Sequence, residues 1–147
     1  MRKHFLVILL GTLLLFAFVG SAETSVSADG EFTYTKIADG ACIITGYQGT
    51  AADLIIPEVL DGYKVTEIGD GALSNRFGLV SVTISEGVLS IADGALTRCW
   101  DLASVSIPGT VTSIGVWAFS QCPHLAAIVI SQSVETIGAG AYGACRS

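Results

Sequence analysis

The sequence predicts a repeat solenoid. Each 23-residue unit is expected to give one strand to a parallel sheet and a short helical or 3₁₀ turn to the opposite side. Three consecutive strings of 23 residues agree at eight apolar positions, and a looser copy precedes them. Within each string, a short alternating β-branched segment is followed by apolar residues at helical spacing. A unit this small cannot bury its own apolar side, so the copies must stack.

The regular units are residues 79–101, 102–124 and 125–147, and the looser unit spans 52–78. Matched apolar positions should form continuous buried ladders. The ladder positions are Ile84, Ile107 and Ile130, then Ile91, Ile114 and Ile137, and finally Cys99, Cys122 and Cys145. The looser unit holds about five extra residues within EVLDGYK, which predicts a surface loop. It also has Arg76 where the other units have cysteine.

Inside a unit, Val82, Thr83 and Ile84 alternate between apolar and polar, which predicts a strand with one buried face. Ile91 and the apolar residues after it suit one turn of helix, and Asp-Gly pairs mark the corners. Strands of successive units are expected to pair in parallel at a spacing of about 4.8 Å.

Residues 1–22 have the pattern of a secretory signal peptide. Arg2 and Lys3 precede an apolar run, and small residues at 20–22 suit a signal peptidase. Cleavage after Ala28 is an alternative, and an uncleaved N-terminal anchor is another. The apolar run is short for a membrane span, which needs about 20 residues.

Residues 23–51 are expected to form an N-terminal cap, a β-hairpin around Asp39 and Gly40 that shields the first unit. No comparable segment follows the last unit. We therefore expect that edge either to be open or to pair with another chain; a third alternative is that the chain is a shortened form of a longer array. Self-association through the C-terminal edge is thus an expectation of its own.

Composition excludes several classes of function. Without residues 1–22, the chain has five scattered Lys and Arg against 13 acidic residues, a net charge of −8. Nucleic acid is therefore not an expected partner. No second apolar run reaches the length of a membrane span, so the mature chain should not cross a membrane.

The sequence offers no catalytic or metal-binding set, so we expect neither an enzyme nor a cofactor. Only His124 remains after signal cleavage, and it falls at a corner between units. The cysteines lack the short pairs typical of zinc sites. We expect the three matched cysteines to pack as buried thiols, with a disulfide between neighbouring units as the alternative. Secretion favours pairing of Cys42, with no partner evident.

The unit LxxVxIPxxVTxIGxxAFxxC, as it stands from Leu102 to Cys122, resembles the BspA-type, or Treponema-type, leucine-rich repeat. The resemblance covers residues 52–147. It implies a leucine-rich-repeat fold and membership in a family of largely secreted or surface-exposed proteins of bacteria and protists. Adhesion to host matrix proteins or other cells is what the resemblance implies about function.

A ligand should meet the outward side of the predicted strands, where the side chains are small and hydroxylic. The candidate ligand-binding residues are Ser81, Thr83, Ser104 and Ser106, with Trp100 as an exposed anchor at a corner. The alternative for Trp100 and Trp117 is that both indoles cover edges of the core. We expect a secreted or cell-surface protein that binds extracellular proteins, and a structural or assembly module as the rival.

Overall fold

The computed structural model of the protein describes residues 22–145. The predicted signal peptide, residues 1–22, therefore lies outside the described residues except for Ala22. Arg146 and Ser147 of the last unit lie outside them as well. Within residues 22–145 there is no helix with the length and apolar character needed to cross a membrane.

The described residues form short strands joined by turns. The strands are β1 (Thr24–Val26), β2 (Phe32–Ile37), β3 (Ala41–Tyr47), β4 (Asp53–Ile56), β5 (Val59–Leu60), β6 (Tyr63–Ile68), β7 (Ser81–Ile84), β8 (Ser90–Ile91), β9 (Ser104–Ser106), β10 (Ser113–Ile114), β11 (Ala127–Val129) and β12 (Thr136–Ile137). A single 3₁₀ turn, Ala38–Gly40, lies among them. Each 23-residue unit thus contributes two strands, which we call together with their turns a rung.

The rungs stack into two sheets. The second sheet, in the order β11-β9-β7-β4, is parallel throughout, and Ser81, Ser104 and Ala127 are neighbours in its register. The first sheet has the order β1-β2-β3-β6-β8-β10-β12, with β5 paired to β6. Ile91, Ile114 and Ile137 are neighbours there. Both registers advance by 23 residues per rung, which confirms the predicted repeat solenoid.

The third side of each rung is a turn segment where the sequence predicted helix or 3₁₀ structure. Alternate N–H groups donate to the next rung, as from Leu96 N to Ala118 O at 2.7 Å. The intervening ones donate back within the turn, as from Thr97 N to Gly94 O at 3.0 Å. Backbone groups shared between rungs in this way cannot form a helix. Left-handed residues also interrupt each turn, at Asn75, Arg98, Gln121 and Ala144.

The extra residues of the first rung form a hairpin instead of the expected irregular loop. β5 pairs antiparallel with β6, and Asp61 and Gly62 make the two-residue turn with φ of 50° and 87°. Two residues of positive φ match the twist of the flanking strands. Leu60 is buried by this pairing, so the insertion adds to the core.

The N-terminal segment covers the first rung. β2 pairs antiparallel with β3, β1 adds to the outer side of β2, and β3 pairs in parallel with β6. Tyr47 is almost fully buried, and its ring centroid lies 5.0 Å from that of Phe32. The core therefore continues from the rungs into this cap without a break.

The last described rung departs from the expected ladders. Ile91 and Ile114 are 1% and 2% exposed, whereas the equivalent Ile137 is 49% exposed. Ile130 is likewise exposed, although Ile84 and Ile107 are buried, and Cys145 is half-buried. A rung buries the apolar side of the one before it, and among the described residues nothing lies over this one. We call this surface the open end.

Candidate ligand-binding surfaces

The four predicted strand residues lie together on the outer side of the second sheet. Ser81 is the register neighbour of Ser104, and Thr83 is the neighbour of Ser106. Thr83, Ser104 and Ser106 are exposed. Ser81 is half-buried because its hydroxyl donates to Asp53 Oδ1 at 2.5 Å. The surface is therefore flat and hydroxylic, with one carboxylate at its edge, and we call it the strand face.

The strand face is apolar at both ends of one row. Ile55, Thr83, Ser106 and Val129 are successive register neighbours across four strands. Ile55 is 66% exposed and Val129 is 79% exposed. Exposed apolar groups flanking small hydroxyls suit contact with another protein surface. Parallel strands hold all of these side chains on a rigid support.

Trp100 is exposed, as expected, but it does not join the strand face. Its indole lines a depression together with Gln121, Pro123 and Ala144, which belong to the turn segments or directly follow them. Trp100 is 48% exposed, and the equivalent position one rung earlier holds Phe77, also exposed. The corner between the strand face and the turn segments therefore carries a row of exposed aromatic rings.

A second group of residues was not among the predicted ligand-binding residues. Trp117, Arg98 and Gln121 line a depression of about 440 Å³ on the turn segments, with Thr97 and Ser120. Their signal was present in the 23-residue register. Trp117 occupies the position held by Gly71, Gly94 and Gly140 in the other rungs. A tryptophan among glycines is visible without a structure.

The three matched cysteines are free thiols, as is Cys42. Each Sγ donates to a turn carbonyl of the previous rung; the acceptors are Leu73 O for Cys99 at 3.1 Å, Leu96 O for Cys122 at 3.2 Å and Phe119 O for Cys145 at 3.1 Å. The Cys99 thiol and burial together raise the pKa of Cys122, and burial raises the pKa of Cys145. Thiols of this kind are structural and poorly nucleophilic.

The acidic corners serve the backbone. Asp93 Oδ1 accepts a hydrogen bond from Val116 N at 2.7 Å, which ties one rung to the next. Among residues 22–145, no cluster of His, Cys, Asp and Glu is arranged to hold a metal ion. His124 is exposed at a corner. These residues act as turn formers and surface groups.

Comparison with known proteins places the chain in a family. The family model of the BspA type leucine rich repeat region matches residues 54–147, in six copies. No curated protein matches the chain in sequence. Leucine-rich repeat proteins generally bind other proteins, and the family is generally non-enzymatic.

Solved structures agree. A leucine rich cell surface protein from Faecalibacterium prausnitzii is 32% identical with a TM-score of 0.73, over 82% of this chain and 34% of that one. A leucine-rich repeat protein from Bacteroides capillosus is 30% identical with a TM-score of 0.69, over 78% of this chain and 86% of that one. The chain thus spans about a third of the first protein and most of the second.

A leucine-rich repeat protein from T. pallidum shares the fold at 24% identity, with a TM-score of 0.56 over 82% of this chain and 63% of that one. The family model covers most of the chain, and the same stacked rungs recur in these solved structures. The chain belongs to the BspA-type leucine-rich repeat family.

Proposed function

We propose that this protein is secreted or displayed at the cell surface, binds extracellular proteins and acts in adhesion without catalysis. The observation that carries the proposal is the strand face, where Thr83, Ser104 and Ser106 are exposed on rigid parallel strands between apolar Ile55 and Val129. The similarity to a cell surface protein supports the location.

Export would proceed through the predicted signal peptide, with cleavage after Ala22. Cleavage after Ala28 would remove β1, which pairs with β2 from Thr24 to Val26. It would also remove Ser27, whose hydroxyl accepts a hydrogen bond from Phe32 N at 2.8 Å. These contacts of residues 24–27 support the earlier cleavage site, at which the cap stays whole.

The test is binding of the secreted chain to a panel of immobilised extracellular matrix proteins, measured by surface plasmon resonance. In the variant Ser104→Lys/Ser106→Lys, two long charged side chains stand in the middle of the strand face. We expect affinity to fall by about tenfold or more, because buried charges without partners weaken an interface. Gln132→Lys, at an exposed position outside the strand face, is the matched control.

Adhesion through the strand face is contradicted if the double variant binds as the unmodified chain does. It is also contradicted if no protein of the panel binds. Circular dichroism of both variants should match the unmodified chain, so that a loss of binding is not a loss of fold.

Assembly is the second candidate, and the open end favours it. Ile130 and Ile137 are exposed there, and β11 and β12 are the last strands of their two sheets. Unpaired strand edges with apolar side chains promote pairing with another chain. In sedimentation equilibrium we expect a dimer that Ile130→Lys dissociates. A strictly monomeric chain at high concentration would exclude this role.

A further inference from the structure

The backbone at Trp117 is in a conformation that suits glycine. Its φ is 54°, and the equivalent Gly71, Gly94 and Gly140 have φ between 59° and 64°. A bulky side chain at positive φ costs about 1–2 kcal/mol relative to glycine. The indole is 61% exposed, so packing within the fold does little to offset that cost. Folding alone therefore does not account for a tryptophan at this position.

The terminal rung leaves room around this indole. A Cβ placed on Gly140 would lie 2.4 Å from Cδ1 of Trp117, so the ring rests against the backbone of that glycine. The following positions of the same turn are Gly143 and Ala144. Their small side chains leave most of the ring open to solvent. The ring is thus positioned by one rung and presented by its neighbour.

Arg98 and Gln121 lie beside the ring as a bonded pair. Arg98 Nε donates to Gln121 Oε1 at 3.1 Å, and both side chains are exposed. A guanidinium group has five N–H donors, and this bond occupies one of them. Gln121 also lines the depression beside Trp100. The two depressions are therefore continuous, with one tryptophan in each and Arg98 in the first.

The charge of this surface determines what fits it. No carboxylate lines either depression, although the chain has 13 acidic residues and a net charge of −6. A guanidinium group matches a carboxylate with two parallel hydrogen bonds. Tryptophan and arginine are also the side chains that dominate binding energy at protein interfaces. The surface suits a carboxylate with apolar groups on its flanks.

Hydroxyl groups that would recognise a neutral saccharide are already engaged. Thr97 Oγ1 donates to Ser120 O at 3.1 Å, and Ser120 Oγ donates to Gly143 O at 3.0 Å. The depressions therefore offer one cation and two aromatic rings, and few free hydroxyl donors. This balance favours a peptide over a neutral sugar.

We propose that Trp117, Arg98, Gln121 and Trp100 form a second binding site, which takes an extended peptide segment of an extracellular partner. An Asp or Glu side chain of that segment binds Arg98, and apolar side chains on either side of it lie against the two indoles. The inference rests on the proposed role in binding extracellular proteins, but it uses a different surface from the strand face.

Intrinsic fluorescence tests the site directly, because Trp100 and Trp117 are the two tryptophans of the chain. The secreted chain is titrated with short blocked peptides that carry one Glu between Leu, Pro or Phe residues. Matched peptides carry Gln in place of Glu. We expect the Glu peptides to change the emission and to bind about tenfold more tightly than the Gln peptides.

Two variants separate the roles of the residues. Arg98→Gln should abolish the preference for Glu over Gln. Trp117→Gly restores the glycine of the neighbouring rungs, so it should weaken peptide binding while leaving the melting temperature unchanged or higher. Ser104→Lys/Ser106→Lys should bind the peptides normally, so failure of the strand face and failure of this site are distinguishable.

Equal binding of Glu and Gln peptides would overturn the proposal. So would an emission change with neutral oligosaccharides and none with any peptide. Peptide binding that survives Trp117→Gly without loss would show that the strained tryptophan has no part in it, which also contradicts the inference.

Discussion

The two ends of the stack differ although they are built from the same kind of strand. At the N-terminal end, β1–β3 continue the first sheet, and Cys42 and Ile44 are fully buried beneath them. At the open end, Ile130 and Ile137 are exposed among the described residues. A solenoid protects its apolar ends with capping segments, and here one end has such a segment.

The contrast shows that burial in a repeat protein is a property of the neighbouring rung. Ile114 and Ile137 occupy the same position of successive units, pair in register, and differ in exposure from 2% to 49%. The unit specifies which side chains point inward, and the next rung decides whether they meet water. Equivalent substitutions at the two ends should therefore have unequal effects.

The largest difference is expected between the aromatic residues near each end. Tyr47→Ala should lower the free energy of unfolding by about 3–5 kcal/mol, because the ring is buried against Phe32 and Gly49. Tyr142→Ala removes a half-buried ring that stacks on Phe119 at 5.5 Å, and it should cost about 1–2 kcal/mol. Urea denaturation followed by circular dichroism measures both.

Tyr47→Phe is the matched control, because it keeps the ring and removes only the hydroxyl that accepts a hydrogen bond from Ala51 N at 3.3 Å. Its effect should be about 1 kcal/mol. Equal losses for Tyr47→Ala and Tyr142→Ala would mean that another segment covers the open end in solution.

A smaller difference is expected within one ladder. Ile114→Val should cost about 0.5–1.5 kcal/mol, because it deletes a buried methylene between two rungs. Ile137→Val, at the open end, should change stability by less than about 0.5 kcal/mol. The same denaturation experiment compares them. Self-association through the open end would make the Ile137→Val cost depend on protein concentration, which would refine the comparison.

The smallest effect is on reactivity, with no change in stability. Cys145 is half-buried, whereas Cys42, Cys99 and Cys122 are fully buried, so iodoacetamide should label Cys145 first. Burial raises the pKa of Cys145, and only the thiolate reacts, so its labelling rate should keep rising above the ordinary thiol pKa. Mass spectrometry after timed quenching identifies the site. Labelling of Cys122 before Cys145 would contradict the assigned burial.

The core was readable from the sequence because stacking repeats it. Ile84, Ile91 and Cys99 were identified by register alone, and the structure buries them. The strand Ser90–Ile91 was missed because two residues carry no alternation, and only pairing between rungs defines them. The spacing of Ile91, Ala95 and Leu96 suggested a helix. Backbone bonds between rungs override that local preference.

The candidate surfaces were less readable. Alternation correctly placed Ser104 and Ser106 outward, since side-chain direction in a strand has a period of two. The direction of Trp100 follows from the path of the chain around a corner, which the repeat pattern does not encode. Trp117 was visible against the glycines at its position, but its contact with Gly140 depends on how two rungs pack.

The three ladders of hydrogen bonds also govern how such a protein can change length. Each rung donates to and accepts from the next in both sheets and in the turn segments, always at an offset of 22 or 23 residues. An in-frame duplication of one unit would add a rung that matches both neighbours and would lengthen the stack by about 4.8 Å. Insertions of other lengths must leave the stack, as the hairpin of Leu60 and Asp61 does. The fold therefore allows evolution to vary the length of this protein in whole steps.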